Sequence, residues 1–408
     1  MGVLSRRWRR QLRVACACLV TAALGACGGS GPSTQGAGAS GVVATPTPTP
    51  TPTPFAAVLA ATTIDPARLP NYAAPALPAY YDGTVALLDN VPANNPVNDR
   101  VATLGRVLFY DRQLSVNRTV SCASCHQQAF AFDDPRRFSL GFSGAAFTVA
   151  HAMRLGNVRY WRPGSMFWTR RTLTLELQAS QPIINPVEMG FDAANGGMAA
   201  LLTRLQAIGY YQELFAFAFG DTTVTEDRIQ RALASFQRAM VSTSSRWDTA
   251  YAQVFAPGAP NRGLDTPLPG FSAEEERGHQ LFMAPRANGG AGCSACHVPP
   301  TFALAANSRS NGLDAGETRV FKAPSLKNVA LSRFFMHDGR FSTLAEVVEF
   351  YDSGVQAGPA LDLRLVAANG SPRRLNLSAA DKAALVAFML TLTDTSLTTD
   401  PKFSDPFR

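Results

Sequence analysis

The sequence predicts a mostly α-helical protein built of two domains. Apolar residues recur at helical spacing in six segments, whereas the alternating pattern of strands is scarce. A Cys-x-x-Cys-His motif occurs once in each half of the chain, which indicates two comparable units. The chain has 408 residues, of which 46% are hydrophobic and 16% are charged, so each unit can bury a core of its own.

The first 26 residues have the layout of a secretory signal peptide. They carry five arginines and no acidic residue, and an apolar run follows the arginines. The run ends in Leu24-Gly25-Ala26-Cys27, which resembles a bacterial lipobox, a motif whose cysteine is acylated and becomes the first residue of the mature protein. A plain signal peptide that leaves Cys27 unmodified is the alternative. We expect a periplasmic lipoprotein tethered to the outer membrane.

Residues 27–84 have the composition of a tether. A stretch rich in glycine and serine comes first, and alternating Thr-Pro follows at residues 45–54. Small residues make a chain flexible, and regularly spaced prolines stiffen it into a polyproline-like spacer. We therefore expect this segment to be disordered and the folded body to start near residue 85.

The net charge of +7 does not indicate a nucleic-acid partner. Five of the 37 basic residues lie in the predicted signal peptide, and those that remain nearly balance the 30 acidic residues. The body of the protein therefore lacks the excess of basic residues that is typical of nucleic-acid binding. Contact with a membrane is expected only through the lipid anchor.

The six helical segments all lie in the body of the protein. They cover residues 98–111, 197–220, 225–242, 272–284, 342–352 and 378–393. Ser272, with acidic residues after it, is the expected N-cap of the fourth segment. Residues 255–271 are rich in proline and glycine, which is typical of a connection between domains. The predicted domains are therefore residues 85–256 and 257–408.

Four cysteines remain once the signal peptide and the lipobox are set aside, and all of them lie in the two Cys-x-x-Cys-His motifs. They are Cys122, Cys125, Cys293 and Cys296. The two motifs lie 171 positions apart, whereas a zinc ribbon spaces its cysteine pairs roughly 15–20 residues apart. A thioredoxin-like dithiol needs a βαβ context, which neither motif has. Both of these alternatives are therefore disfavoured.

The motif matches the attachment site of a c-type haem. In such a site the two cysteines form thioether bonds to the porphyrin, and the adjacent histidine is the proximal iron ligand. Two copies in an exported chain with no spare cysteine in its body favour this interpretation. The sequence therefore predicts two covalently bound c-type haems, with His126 and His297 as proximal ligands and one cytochrome-c-like domain wrapped around each.

From about residue 90 to residue 395 the chain resembles the bacterial diheme cytochrome c peroxidases, a family that includes MauG, the diheme enzyme of methylamine utilisation. Three blocks carry the resemblance besides the haem motifs: "LGRVLFYDRQLS", "FWTRRTLTLELQASQPIINPVEMG" and "FKAPSLKNVALSRFFMHDGRFSTLAEVVEFYD". They occur in the family's order around the two motifs. The resemblance implies a peroxidatic haem in the first domain and an electron-transfer haem in the second.

The resemblance assigns roles to four residues of the middle block. It places Trp168 between the two haems, and Gln178, Pro182 and Glu188 in the pocket where peroxide meets the first haem. Cleavage of the O–O bond requires a proton to move from one oxygen to the other, and a positioned carboxylate such as Glu188 can carry it. Gln178 can hydrogen-bond the bound oxygen without a change of charge. Without the resemblance, Trp168 would be taken for a core aromatic and Glu188 for a surface acid.

The sixth ligand of the first haem is the first departure from the family. Many members place a distal histidine 16 residues after the proximal one, where this chain has Phe142. Phenylalanine cannot bind iron, so we expect an open first haem. His151 corresponds to an asparagine that binds calcium in the family together with carbonyls at the positions of Ser332 and Phe334, and it is expected to be structural. Imidazole is a poor ligand for a hard cation, which argues against a bound calcium while leaving it open.

The sixth ligand of the second haem is the second departure. In the family it is usually a methionine 14 residues after His337, and this chain has Tyr351 there, as MauG has tyrosine. A phenolate ligand favours Fe(III) and higher states over Fe(II). Tyr351 also lies on one predicted helical face with Leu344, so it could be a core residue, with Met336 or Met389 as the ligand instead. His337 itself is expected to be a loop residue near the second haem.

The resemblance implies three candidate functions. The first is a peroxidase that reduces hydrogen peroxide to water with electrons from a small redox protein such as a cytochrome c or a cupredoxin. The second is a MauG-like oxidase that uses peroxide for radical oxidation of tyrosine or tryptophan in a partner protein, which Phe142 and Tyr351 both favour. The third is a diheme electron carrier without catalytic activity, which Phe142 disfavours because a carrier needs both irons six-coordinate.

Overall fold

Helices provide most of the regular structure in residues 54–408, the part of the chain that the computed structural model describes. In chain order the α-helices are α1 (Ala56–Ala61), α2 (Gly83–Ala86), α3 (Asp99–Tyr110), α4 (Cys122–Cys125), α5 (Leu175–Ala179), α6 (Gln181–Ile184), α7 (Gly197–Gln206), α8 (Gly209–Phe219), α9 (Glu226–Arg238), α10 (Arg246–Val254), α11 (Ala273–Met283), α12 (Leu344–Glu349), α13 (Ala379–Leu390) and α14 (Thr395–Thr399). Two short strands, β1 (His297–Val298) and β2 (Ala303–Leu304), pair antiparallel. The predicted mostly α fold is therefore confirmed. No helix of this described part is long and apolar enough to cross a membrane.

Each half of the chain contains one pair of closely crossed helices. The first pair is α3 with α9, and the second is α11 with α13. A Cβ atom on Gly105 would lie 1.9 Å from the carbonyl oxygen of Ala232, and one on Gly278 would lie 1.9 Å from that of Ala384. A phenylalanine four residues beyond each alanine packs at the same crossing. The two halves therefore repeat one packing arrangement, in which glycine allows two helix backbones to touch.

Replacing either of these glycines with alanine should destabilise the protein. The added methyl group would overlap a backbone carbonyl, so the helices would have to separate, and overpacking of this kind costs about 1–3 kcal/mol. We expect the midpoint of thermal unfolding to fall in Gly105→Ala and in Gly278→Ala. Gly83→Ala is the matched control, because a Cβ there meets open space. Unchanged midpoints in both crossing variants would contradict the close contact.

The two helix pairs lie in two separate hydrophobic cores. The first core surrounds α3 and α9, and the second surrounds α11 and α13. Each core also takes side chains from the other half of the chain. Leu397 and Phe403 pack into the first core, and Trp247 and Tyr251 pack into the second. The two halves therefore interlock across residue 256, where the sequence places the domain boundary.

The segment before residue 85 is folded from residue 54 onward, so the predicted tether is wrong for this stretch. Helix α1 packs against α8, and the Glu213 carboxylate accepts a hydrogen bond from the backbone N–H of Val58 at 2.9 Å. Tyr72 and Tyr80 are each 1% exposed and fill sites in the two cores. Isolated apolar residues such as these form no periodic pattern, so no local feature of the sequence indicates their burial. The predicted signal peptide, Cys27 and the Thr-Pro run up to residue 53 lie outside the described residues.

Helices occupy all six predicted segments, and the described chain contains further helices that were not predicted. Ser272 caps α11 as expected: its hydroxyl accepts from the N–H of Glu275 at 3.2 Å, and the Glu275 carboxylate accepts from the N–H of Ser272 at 2.8 Å. The segment 197–220 is two helices, α7 and α8, because the chain turns at residues 207–208. Helix α10 was not predicted, although Ser245 and Asp248 form a capping box at its start.

Candidate functional site

The first Cys-x-x-Cys-His motif lies beside a buried space, here called the first cavity. Cys125 and His126 line it, and Cys122 lines a smaller pocket that adjoins it. The motif begins with the single turn of α4, which is fixed at its start by a capping box between Ser121 and Ser124. The volume of the first cavity is about 260 Å³.

The contacts and the burial of His126 suit a metal ligand. Its Nδ1 lies 3.1 Å from the carbonyl oxygen of Phe132, so a proton on Nδ1 can be donated there and Nε2 is left for a metal. Burial lowers the pKa of His126, which keeps the ring neutral. A neutral imidazole is the form that binds iron.

The structure brings Trp168, Gln178, Pro182 and Glu188 together with His126 around the first cavity. Helices α5 and α6 carry the glutamine and the proline, and the loop after α6 carries the glutamate. Among the described residues that line this cavity, Glu188 is the only carboxylate. Burial raises its pKa, and the nearby Arg171 cation partly opposes that rise. A half-buried acid whose pKa is raised holds its proton more readily than an exposed carboxyl group and can serve as a proton carrier.

Lys322 is a residue of the first cavity that the sequence did not single out. It is buried, its Nζ lies 2.8 Å from the sulfur of Met153, and burial lowers its pKa to about 7. It also lines the second cavity described below. A lysine in a loop is normally taken as solvated, so only its place in the block "FKAPSLKN" connects it with the site.

The second Cys-x-x-Cys-His motif lies beside two adjoining pockets, here called the second cavity. Cys293 and His297 line both pockets, and Cys296 lines one of them. The Nδ1 atom of His297 is buried and has no hydrogen-bond partner in the described part of the chain. Burial, together with the positive charges of Arg154 and Arg364, lowers the pKa of His297 to about 4. A neutral, buried imidazole without a protein partner for one nitrogen fits a metal ligand.

The predicted candidates for the sixth ligand of the second haem all line the second cavity. Tyr351 and Met336 line both of its pockets, and Met389 lines one. The Asn311 amide lies between the first two, with its nitrogen 3.4 Å from the Met336 sulfur and 3.5 Å from the Tyr351 hydroxyl. Burial raises the pKa of Tyr351 to about 12, so its free phenol is protonated at neutral pH.

The backbone around Tyr351 differs from the prediction. The α-helical geometry of α12 stops at Glu349, and Phe350–Gly354 form a π-helical turn. The expected helical face from Leu344 to Tyr351 is therefore interrupted, because a π turn shifts every side chain that follows it. Such turns are frequent at functional sites.

Trp168 lies in the wall between the first and second cavities and lines both. Its indole Nε1–H donates to the carbonyl oxygen of His151 at 2.8 Å, and its own carbonyl accepts from the N–H of Lys322 at 2.8 Å. His337 lies on a turn of the second cavity, with its ring stacked on Phe321 at a centroid distance of 4.7 Å. One hydrogen bond of the indole and one of the backbone therefore hold Trp168 in this wall.

Neither Phe142 nor His151 is placed to bind a metal in the first cavity. The Phe142 ring lies against Gly190 and does not line the cavity. Both ring nitrogens of His151 face protein oxygens: Nδ1 lies 3.1 Å from the Arg137 carbonyl, and Nε2 lies 3.2 Å from the Asp133 carboxylate. The Nε2 contact is close enough for an ion pair but out of line for a strong hydrogen bond.

The residues at the family's calcium position do not fit calcium. The Arg154 guanidinium lies there, with Nη1 donating to the Ser332 hydroxyl and Nη2 donating to the Ser325 carbonyl at 3.0 Å. Its Nη1 is also 3.8 Å from the carboxylate of Asp133. A divalent cation would meet this positive charge and the ring of His151, so no role is derived for calcium.

Each cavity does fit a covalently bound haem. The cysteines of both motifs are free thiols, and each pair lies beside its own cavity, where it can form thioether bonds to a porphyrin. The two motifs line different cavities, and residues 54–408 contain no group of three or more histidine, cysteine or acidic side chains that could hold a metal ion. A shared zinc site is therefore excluded for this part of the chain.

Comparison with known proteins agrees with this geometry. Residues 99–254 and 272–357 match the family model described as di-haem cytochrome c peroxidase. The methylamine utilization protein MauG of Methylophilus methylotrophus is 31% identical, over 74% of this chain and 86% of that protein. The cytochrome c551 peroxidase of Nitrosomonas europaea is 28% identical, over 64% of this chain and 75% of that protein.

A solved structure has a similar fold. A MauG-like protein associated with microbial copper homeostasis is 33% identical and superposes with a TM-score of 0.64, over 83% of this chain and 99% of that one. The family model covers more than half of the chain and includes both haem motifs, and its description implies two haems. This chain belongs to the family of bacterial diheme cytochrome c peroxidases and MauG proteins.

Proposed function

We propose that this protein is a periplasmic diheme peroxidase that reduces hydrogen peroxide to water with electrons from a small redox protein, a cytochrome c or a cupredoxin. The proposal rests on the residues that line the first cavity. Among the described residues there, Glu188 is the only carboxylate, and Gln178 and His126 line the same cavity. Relatives named cytochrome c peroxidases support the reaction class. The arginine-rich leader and Cys27 support export and a lipid anchor.

We assign each haem to the motif that lines its cavity. The first haem belongs to residues 85–256, with thioethers to Cys122 and Cys125, and the second belongs to residues 257–408, with thioethers to Cys293 and Cys296. His126 and His297 would bind the iron of the first and the second haem. When bound, the haems supply the iron that exchanges electrons with peroxide and with the donor.

The residues of the first cavity provide the proton chemistry. The Glu188 carboxylate takes the proton from one peroxide oxygen and returns it to the other, and its raised pKa favours the state in which it holds the proton. The Gln178 carboxamide donates a hydrogen bond and orients the oxygen without a change of charge. Trp168, in contact with both cavities, lies on the path of electrons between them.

The proposal is tested by peroxide-dependent oxidation of reduced cytochrome c by the holoprotein, with visible and EPR spectra of the resting state. We expect turnover and a high-spin signal from one open haem. Two low-spin haems that do not react with peroxide would contradict the proposal and favour a diheme electron carrier without catalytic activity.

A second candidate function is the radical oxidation of tyrosine or tryptophan in a partner protein, as a MauG-like oxidase would perform. Tyr351 in the second cavity favours it, because phenolate stabilises oxidised iron. Long-lived oxidised absorbance after peroxide, with poor turnover of cytochrome c, would select this function over the first.

Replacing Tyr351 with methionine should raise the midpoint potential of the second haem. Methionine favours Fe(II), whereas phenolate favours Fe(III), and axial-ligand choice spans about 0.8 V among haem proteins. We expect a rise on the order of a hundred millivolts or more, measured by spectroelectrochemistry. Tyr211→Phe is the control, since Tyr211 is buried in the first core and hydrogen-bonds Asp111 at 2.7 Å. A potential that is equal in Tyr351→Met and the native protein would exclude tyrosinate ligation and favour Met336 or Met389.

A further inference from the structure

A buried network of charges occupies the wall between the two cavities. Asp133, His151 and Arg154 are 1%, 4% and 7% exposed. His151 and Arg154 line the first cavity and the second, as Trp168 does. None of these three charged side chains is needed for the proton chemistry proposed above. Burying charged side chains is unfavourable in free energy unless they are paired. The presence of three of them in this wall therefore needs a physical explanation.

The contacts around His151 define its charge. Its Nδ1 faces the carbonyl oxygen of Arg137, and its Nε2 faces the carboxylate of Asp133. Both of these oxygens are acceptors only, so each ring nitrogen is best matched when it carries a proton. A ring with two N–H groups is an imidazolium cation. The Asp133 carboxylate therefore lies between two cations, the imidazolium and the Arg154 guanidinium.

The same histidine is tied to the residues on either side of the wall through its backbone. Its carbonyl oxygen accepts from the indole N–H of Trp168 at 2.8 Å, and its N–H donates to the carbonyl of His337 at 2.9 Å. Arg154 adds contacts to the hydroxyl of Ser332 and the carbonyl of Ser325. Charge pairing at Asp133 therefore fixes the backbone that holds the indole.

We propose that Arg154 and His151 are the resident cations of this wall: they take the place of a bound divalent cation, neutralise Asp133 and hold Trp168 in position between the two haems. Both are positioning residues. The inference rests on the two-haem function proposed above and adds to it that the protein works without calcium. The Arg154 guanidinium is a permanent cation of the chain itself, so Asp133 is neutralised without the binding of a metal ion.

The native holoprotein provides the first test. Haem and calcium are counted per chain after gel filtration, and the visible spectrum and both midpoint potentials are recorded before and after EDTA. We expect two haems, less than 0.1 calcium per chain, and no change with EDTA. One calcium per chain whose removal alters the spectrum would overturn the proposal.

Arg154→Ser provides the second test. The substitution removes the guanidinium from among the Asp133 carboxylate, the Ser332 hydroxyl and the Ser325 carbonyl, a set of hard oxygen donors that suits calcium. Loss of the positive charge should lower the midpoint potential of the second haem, and added calcium should restore at least half of the shift. Arg154→Lys keeps the charge and should need no calcium.

A matched control separates this effect from simple loss of a buried ion pair. Arg238 is buried, pairs with Glu176 at 3.0 Å and lines neither cavity, so Arg238→Ser should leave both potentials unchanged. Equal potentials in Arg154→Ser and the native protein, or a shift that calcium does not reverse, would overturn the proposal. If that variant fails to fold, the calcium count and EDTA response of the native holoprotein decide alone. Absence of peroxide turnover would count against the proposed function and not against the resident cations.

Discussion

Replacing Glu188 with glutamine should slow peroxide turnover by about 10²–10⁴-fold, the usual contribution of a positioned acid–base group. Glutamine keeps the shape and the hydrogen bonding of the protonated acid but cannot carry a proton between two oxygens. The described residues of the first cavity include no other carboxylate that could take over this role. We expect the loss in the rate of peroxide consumption under single-turnover conditions, with two haems still bound per chain.

Two variants serve as controls for this result. Glu188→Asp keeps a carboxylate on a shorter side chain and should retain part of the activity. Glu274→Gln makes the same chemical change at an exposed position at the start of α11 and should have no effect. Native rates in Glu188→Gln would contradict the acid–base assignment and leave Glu188 as a half-buried acid without a catalytic role.

The dependence of stability on pH shows whether slow turnover in Glu188→Gln results from the loss of proton transfer or from unfolding of the variant. Burial raises the pKa of Glu188, so the folded state binds this proton more tightly than the unfolded state. Stability therefore falls as pH rises from the ordinary carboxyl pKa through the raised one. The glutamine variant lacks this loss and should become the more stable of the two at higher pH. A variant that is slower and yet more stable cannot owe its slow turnover to unfolding.

The sequence was most informative where a function depends on neighbouring residues. Each haem motif spans five residues, and the capping box of Ser272 spans four, so both are visible as local patterns. The arrangement of Gln178, Pro182 and Glu188 around one cavity was accessible only through resemblance to a family, because no local rule brings two helices and a loop together. Periodicity likewise identified α3 and α9 but not the glycine contact at their crossing.

The structural features that the sequence did not predict have a common physical cause, which is stabilisation by contacts between distant parts of the chain. Val58 and Tyr72 belong to a segment with the composition of a tether, yet they are buried by helices more than a hundred residues away. Lys322 and Arg154 are charged residues that a sequence places at the surface, and the structure buries them beside the cavities. The π turn at Tyr351 has no sequence signature in the pattern of apolar residues.

Replacing Trp168 with phenylalanine should leave peroxide binding intact and slow electron delivery from the second haem to the first by at least about tenfold, which corresponds to about 1.4 kcal/mol of barrier. Phenylalanine fills most of the same space but is much harder to oxidise than indole, and it loses the hydrogen bond to the His151 carbonyl. The measurement is stopped-flow spectroscopy of holoprotein in which the second haem is reduced before peroxide is added.

Trp161→Phe is the matched control for this experiment. Trp161 is buried, whereas Trp168 is half-buried, and the Trp161 indole N–H donates to the Ser165 carbonyl at 2.7 Å, but Trp161 lines neither cavity. The control therefore loses an equivalent hydrogen bond and an equivalent ring without touching the wall between the haems. Equal electron-transfer rates in both variants would show that electrons cross elsewhere. A slow rate in Trp168→Phe alone assigns the path to the indole, because both substitutions remove an indole and its hydrogen bond but only Trp168 lines both cavities.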